Sequence, residues 1–454
     1  MIQRATLIAV YVLTSWLAAL ASAENWTQFR GSDASGTVRE ANLPIEWSED
    51  KQILWKIALP GVGWSQPVVW GDKVFVTTAE SDKQAKPDPK NKGPGGASKF
   101  DSLSRVFGGA TPTTATYKWK VLCLDAATGK TLWEKVAHEG QPTIPIHDNN
   151  TYASETPITD GERVIAYFGP AGLYCYDVAG NLEWKKDFDA RRIQFGWGTG
   201  SSPILFGDKI YLQCDNDEAS CLIALDKHSG DELWRVERDE KSNWSTPYIW
   251  KNKLRTELIT AGGKQMRSYD PETGKELWSL SGSGRTATTP VGDDEMLFVD
   301  SYDRLTGLSG QLLAIRFGAS GDISLKPTET TNEFVAWSMP IRGGRMSSPS
   351  ICAGNLYVLE NGGGMIRCID AKTGKQLYRK RIPDAGGFTS SPITSGNKVY
   401  CTDQNCKTFV LEAGPDLNVV ATNDLGEMCW SSPAVAGNIL LLRTVDHLYA
   451  IGQK

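Results

Sequence analysis

Asp125-Ala126-Ala127-Thr128-Gly129-Lys130-Thr131-Leu132-Trp133 is the stretch from which the rest of this chain is best read. Its Asp and Thr side chains can bond the backbone of a tight turn, and its Gly can take the left-handed conformation such a turn needs. The Trp then falls on the next strand, where a large flat ring packs against a neighbouring layer. The phrase returns at Asp226–Trp234 and Asp270–Trp278, at Asp370–Tyr378 with Tyr in the Trp place, and at Asp177–Trp184 one residue shorter. Its role is structural, and none of its residues is a catalytic candidate.

A second phrase returns eight times: a small polar pair, a Pro, a turn with Gly or Asn, and an apolar strand. The prolines are Pro67, Pro157, Pro203, Pro247, Pro290, Pro349, Pro392 and Pro433. Without an insertion they lie about 41 to 46 residues apart, the length of a four-stranded blade. The largest gap holds an insertion at residues 81–116, rich in Lys, Pro, Gly and Ser, which reads as a surface loop. Short runs such as Lys209–Gln213 and Lys398–Cys401 are β-branched and aromatic, and no segment has an amphipathic helix period.

The expected fold is all-β: a single eight-bladed β-propeller of four-stranded antiparallel blades. The eighth blade runs out of chain before its fourth strand, whereas residues 53–59 form a Trp-bearing strand with no blade of their own. Pairing that N-terminal strand with the last blade closes the ring and removes a ragged edge. Residues 24–52 are then expected to cross the surface as an irregular lead-in pinned by Trp.

Residues 1–23 read as a signal peptide. Arg4 stands in a short basic head, an apolar run follows from Leu7 to Leu20, and Ala21-Ser22-Ala23 gives the small-x-small cleavage pattern. Cleavage after Ala23 would leave no membrane-crossing segment, so the expected location is periplasmic or secreted. Nine cysteines in an oxidising compartment leave at least one unpaired. Cys214 with Cys221, and Cys401 with Cys406, are placed to bridge hairpins; Cys123, Cys175 and Cys368 share one repeat position, which favours packing. A net charge of −5 without a basic stripe argues against nucleic acid as a partner. Only four His leave little material for a His-built active site.

The pattern at Ala224-Leu225-Asp226-Lys227-His228-Ser229-Gly230-Asp231-Glu232-Leu233-Trp234 resembles the tryptophan-docking motif of the PQQ-binding-like β-propeller repeat proteins. That family belongs to the quinoprotein alcohol dehydrogenase-like superfamily and also includes the BamB-type propeller of outer-membrane assembly. The resemblance covers essentially all of the mature chain and implies the fold strongly, function weakly. No two Cys are adjacent and there is no Cys-x-x-Cys-His, both departures from quinoprotein dehydrogenases. No Cys stands at the cleavage point, a departure from the assembly lipoprotein.

The resemblance and the repeat together place ligands in a funnel at the hub, where loops of every blade converge. Candidate cofactor-binding residues are Trp197, Trp244, Arg285, Arg345, Glu155 and Trp430. A quinone such as PQQ needs an aromatic platform and an Arg, and Glu155 with Asp300 would supply carboxylates for Ca²⁺. The competing reading makes all of these polar funnel residues, with carboxylates paired to arginines. The run His138–Asp148 holds two His and two carboxylates, in a Pro-held loop suited to packing over the funnel mouth more than to metal.

The leading expectation is a binding or scaffold module in the periplasm or cell envelope, a monomer with an envelope or extracellular protein, or a small molecule, as its partner. A PQQ- and Ca²⁺-dependent oxidoreductase acting on an alcohol or sugar is the alternative. A polysaccharide hydrolase or lyase is a third reading, on composition alone.

Overall fold

The computed structural model describes residues 25–39, 41–83, 87, 110–282, 284–301, 310–341 and 345–453. The leader 1–23 and most of the insertion 81–116 lie outside these residues. Eight four-stranded antiparallel blades follow one another around a ring: blade 1 at 68–140, blade 2 at 158–186, blade 3 at 204–238, blade 4 at 248–281, blade 5 at 291–341, blade 6 at 350–381 and blade 7 at 393–424. Blade 8 takes three strands from 434–451 and its outermost from Ile53–Ala58. Ile53 pairs with Ile451, Trp55 with Ala450 and Ala58 with His447, so the ring closes as the sequence predicts. Helical structure among the described residues amounts to two single 3-10 turns, Gly169–Ala171 and Gln194–Gly196.

Each blade is sandwiched between two others, so its middle strands are buried on both faces, as Ile210, Tyr211 and Leu212 are in blade 3. The apolar core is accordingly a ring of inter-blade layers. Phe75 and Val121 of blade 1 meet Ala166 and Tyr174 of blade 2, and Ile165 and Cys175 of blade 2 meet Leu212 and Ile223 of blade 3.

The docking phrase locks these layers. Trp55, Trp133, Trp184, Trp234 and Trp337 each donate their indole N–H to a turn carbonyl of the next blade, at Ala126, Val178, Lys227, Pro271 and Ala371. The same rings lie flat on Gly129, Gly180, Gly230, Gly274 and Gly374, all at positive φ. Cys123, Cys175 and Cys368 pair directly with Trp133, Trp184 and Tyr378, and all three are buried. A small side chain beside a large ring is what packing requires there.

Gly230→Ala tests this lock. The residue sits at φ +75°, and a Cβ there would lie 2.6 Å from Cε3 of Trp184. Backbone strain and overpacking together are expected to cost about 2 kcal/mol, read as a lower urea midpoint. An unchanged midpoint would remove the lock.

The small polar pairs before each Pro do something the sequence does not announce. The backbone N–H of the second residue donates to a hydroxyl in the next blade: Gln66 to Thr156, Thr156 to Ser202, Ser202 to Thr246, Thr289 to Ser348, Ser348 to Ser391, and Ser391 to Ser432. These bonds stitch the innermost strands into a belt around the hub.

The lead-in corrects one expectation. Only its second part, residues 41–52, crosses the surface, over blades 7 and 8, where the Asn42 N–H donates to Asn438 and that of the buried Trp47 to Asn423; residues 26–38 run along the innermost strands at the hub. Trp26 pairs with Val69 in blade 1, Thr159 of blade 2 donates to the Thr27 carbonyl, and Leu205 of blade 3 donates to the Gln28 side chain. Thr37–Val38 then adds a parallel strand to blade 7. Innermost strands have a free edge facing the axis, and this segment satisfies several of them. Arg30 is 1% exposed and donates to the Pro349 carbonyl and to Ser350 Oγ (2.9 Å) of blade 6. Burial pushes its guanidinium down to about 10.

Candidate functional site

Most charges at the ends of the second strands are consumed by the fold. Asp215 and Arg238 form a pair with both side chains fully buried. Both oxygens of Asp300 are taken by Arg345, again with almost no exposure. Glu360 bonds Arg367 and Arg379, and Asp403 accepts backbone N–H groups of Gly386, Asn405 and Lys407. Arg443, also buried, has no carboxylate partner among the described residues. It donates to Ser65, and burial pushes it down to about 9.

Glu155 is the carboxylate left apart. It is 2% exposed, Oε1 has no hydrogen-bond partner, and burial pushes it up to about 7 against bonds from Thr199 and the backbone. Because the folded value is raised, the native state holds a proton that the unfolded chain releases above about pH 4.5. Stability should therefore fall as pH climbs from about 4.5 to 7 and then level off. Glu155→Gln removes that slope: equal to the parent near pH 4, the variant is expected to be more stable by about 2–3 kcal/mol at pH 8. Parallel slopes for the two proteins in urea titrations across that range would refute it.

Near Glu155 a cavity of about 300 Å³ opens between blades 2 and 3. Its wall includes Tyr167, Thr199, Gln213, Cys214, Cys221, Asn243 and Trp244. Gln213 Nε2 bonds Asp215 and the Ala261 carbonyl, which leaves Oε1 an unused acceptor. Asn243 Oδ1 accepts from Trp244 and Thr286, which leaves Nδ2 an unused donor. Gln213 and Asn243 both line the cavity, and a ligand bearing an amide or hydroxyls would reach these two buried atoms only on a small turn of their side chains.

The predicted residues divide into groups. Trp244 lines this cavity, Trp197 packs on it with ring centroids 5.5 Å apart, and Glu155 adjoins through Thr199 and Tyr167. Arg285 is half-buried, its stem packed near Gly263 beside the loop that carries Trp244. Arg345 is bound to Asp300 in blade 5, and Trp430 stacks on Trp64 where blade 8 meets blade 1. Tyr167, Thr199 and Gln213 escaped the sequence reading because they occupy ordinary strand and loop positions of the repeat.

The PQQ and Ca²⁺ site does not fit these residues. Nε and Nη2 of Arg345 engage both Asp300 oxygens, so a cation at Asp300 or a quinone carboxylate at Arg345 would have to compete with this ion pair. Among the described residues no group of three His, Cys, Asp or Glu side chains is arranged to hold a metal ion. With Asp300 held by Arg345, Glu155 and Asp300 fit the expected Ca²⁺ pair poorly. His138 and His147 instead pack on Trp119 and Trp197.

The cysteines also divide differently. Cys214 and Cys221 face each other as expected, but the Cys406 thiol meets Cys429, not Cys401. All nine are thiols in this structure.

A family model described as outer membrane protein assembly factor BamB matches residues 118–249, 222–316 and 326–450. The chain belongs to that family. A BamB from Burkholderia pseudomallei is 30% identical over 112 residues, a stretch that covers 24% of this chain and only 28% of that relative. The crystal structure of BamB from Moraxella catarrhalis superposes with a TM-score of 0.56 at 14% identity, covering 88% of this chain and 97% of that one. That likeness is one of fold. Among the described residues of this BamB-family propeller, no helix is long and apolar enough to cross a membrane.

Proposed function

We propose that this BamB-family propeller is a rigid binding scaffold of the cell envelope that serves outer-membrane protein assembly. The observation that carries the reading is the family match, which recurs along the chain from blade 1 to blade 8. The geometry is in keeping with it: the N-terminal segment at the hub and the buried pairs Asp215–Arg238 and Asp300–Arg345 favour the rim as the working surface. Leu132, Leu182 and Leu233 stand about half exposed on the outermost strands of blades 1, 2 and 3. Such strands offer free edges with apolar side chains to an extended partner chain.

The role requires export. The mature chain is expected to begin at Glu24, as N-terminal sequencing of the protein from its own host would reveal. Deleting the gene is expected to lower the amount of folded, heat-modifiable outer-membrane barrels, and a plasmid copy should restore it. An unchanged barrel level would sink the proposal. Quinone-dependent dye reduction by the purified protein with PQQ and Ca²⁺ would point to the oxidoreductase reading instead.

A further inference from the structure

We propose that Cys214 and Cys221 form a reactive dithiol in the wall of the 300 Å³ cavity, which exchanges with small disulfides. This dithiol is independent of the envelope role.

The two residues are direct cross-strand partners in the hairpin of blade 3. Directly opposed residues have Cα atoms roughly 4.5–5.5 Å apart, within the span of a disulfide. Their thiols are in hydrogen-bonding contact. The connecting loop is tied down by Asn216, whose Nδ2 bonds the Cys214 and Ala219 carbonyls and whose Oδ1 accepts the Glu218 and Ala219 N–H groups. The pair is held in register before any reaction takes place.

A cation is fixed on one sulfur. Arg235 Nη1 lies 3.2 Å from Cys221 Sγ, while its Nε and Nη2 are clamped on the two oxygens of Glu232 at 2.9 and 2.6 Å. The Cys214 S–H and then the Arg235 charge hold the Cys221 thiol below its usual range, against burial, Glu237 and Asp215. On the far side, Tyr167 Oη approaches Cys214 Sγ at 3.8 Å. A thiolate beside Arg is the nucleophile of disulfide exchange.

The pair is also reachable: Cys214 alone among the nine is not buried, Cys221 is 6% exposed, and both residues line the cavity. Cys406 and Cys429 supply the internal contrast: they too are in contact, but both are fully buried. Burial raises Cys123 and Cys352 to about 12 and about 11.

The chemistry balances without any further oxidant. The Cys221 thiolate attacks a small disulfide, forming a mixed disulfide and releasing one thiolate. Cys214 then loses its proton to solvent and attacks Cys221 Sγ, expelling the second. Two protein thiols are oxidised to one disulfide and one external disulfide is reduced to two thiols.

The test uses the full mature protein, reduced and then mixed with graded ratios of reduced and oxidised glutathione or of cysteine and cystine. Alkylation and mass spectrometry should find one reversible disulfide, Cys214–Cys221. Cys214→Ser should trap a stable mixed disulfide on Cys221. Arg235→Gln should slow that capture about tenfold while Cys214→Ser/Arg235→Lys keeps most of the rate. A folded Cys214→Ser protein that captures neither glutathione nor cysteine overturns the proposal. So does a wild-type bridge that stays closed under reductant until the protein unfolds, which would make it a structural staple.

Discussion

A chain lacking residues 53–58 is expected not to fold as one cooperative unit. This strand supplies the whole outer edge of blade 8, pairing from Ile53–Ile451 to Ala58–His447. Its Trp55 donates to the Ala126 carbonyl at 2.9 Å and lies on Gly129 of blade 1. Without it the buried side chains of Leu448, Tyr449 and Leu124 lose their cover, and the core layers on both sides of blade 8 open to water. A closed ring shares its stability among all interfaces, whereas an opened one leaves a bare edge prone to aggregation. Because Ile53 stands opposite Ile451, the segment can be moved to the other terminus and reached by a short hairpin. A permuted chain with residues 53–59 linked after Lys454 is therefore expected to recover a single sharp transition by circular dichroism and calorimetry. A deletion protein melting like the parent would show that ring closure contributes little.

Asp300→Ala is expected to cost about 3–5 kcal/mol, because it removes the carboxylate that balances the buried Arg345 charge. Replacing both with Leu should return most of that loss, since an apolar pair escapes the desolvation of two ions. Urea midpoints for the two single variants and the double variant give the cycle directly. Calcium should leave the parent's midpoint where it is, because the Asp300 oxygens are already engaged by Arg345. A calcium-dependent rise abolished by Asp300→Ala would restore the metal reading and remove this one.

These two results bear on how much could be read before the structure. The blade count, the closing strand and the docking tryptophans follow from the sequence because each depends on short-range chemistry. An Asp-Thr-Gly turn, a strand and a Trp are complete within nine residues, and their period of about 41 to 46 sets the ring. Of the funnel candidates, those that neighbouring blades supply are the ones brought together. Trp197 and Trp244 precede consecutive blades and do meet, and Glu155 lies close by.

Arg345 and Trp430 share the same place in the repeat, before a blade's Pro, yet the ring sets one against Asp300 and the other on Trp64. The cysteine pairs show the same limit: Cys401 and Cys406 are near in sequence, yet the turn of blade 7 points Cys406 at Cys429 of the next blade.

By itself, then, the sequence determined the wheel, its number of spokes and how it is fastened. What occupies the axle was decided only by the tertiary structure. Arg30 reaches Ser350 across 320 residues of chain, the Ser and Thr pairs join into a belt, and a cavity forms where blades 2 and 3 meet. The physical reason is that turns and strands are local free-energy choices. Partners at the hub are chosen by closure, which brings together residues whose spacing along the chain carries no signal of contact.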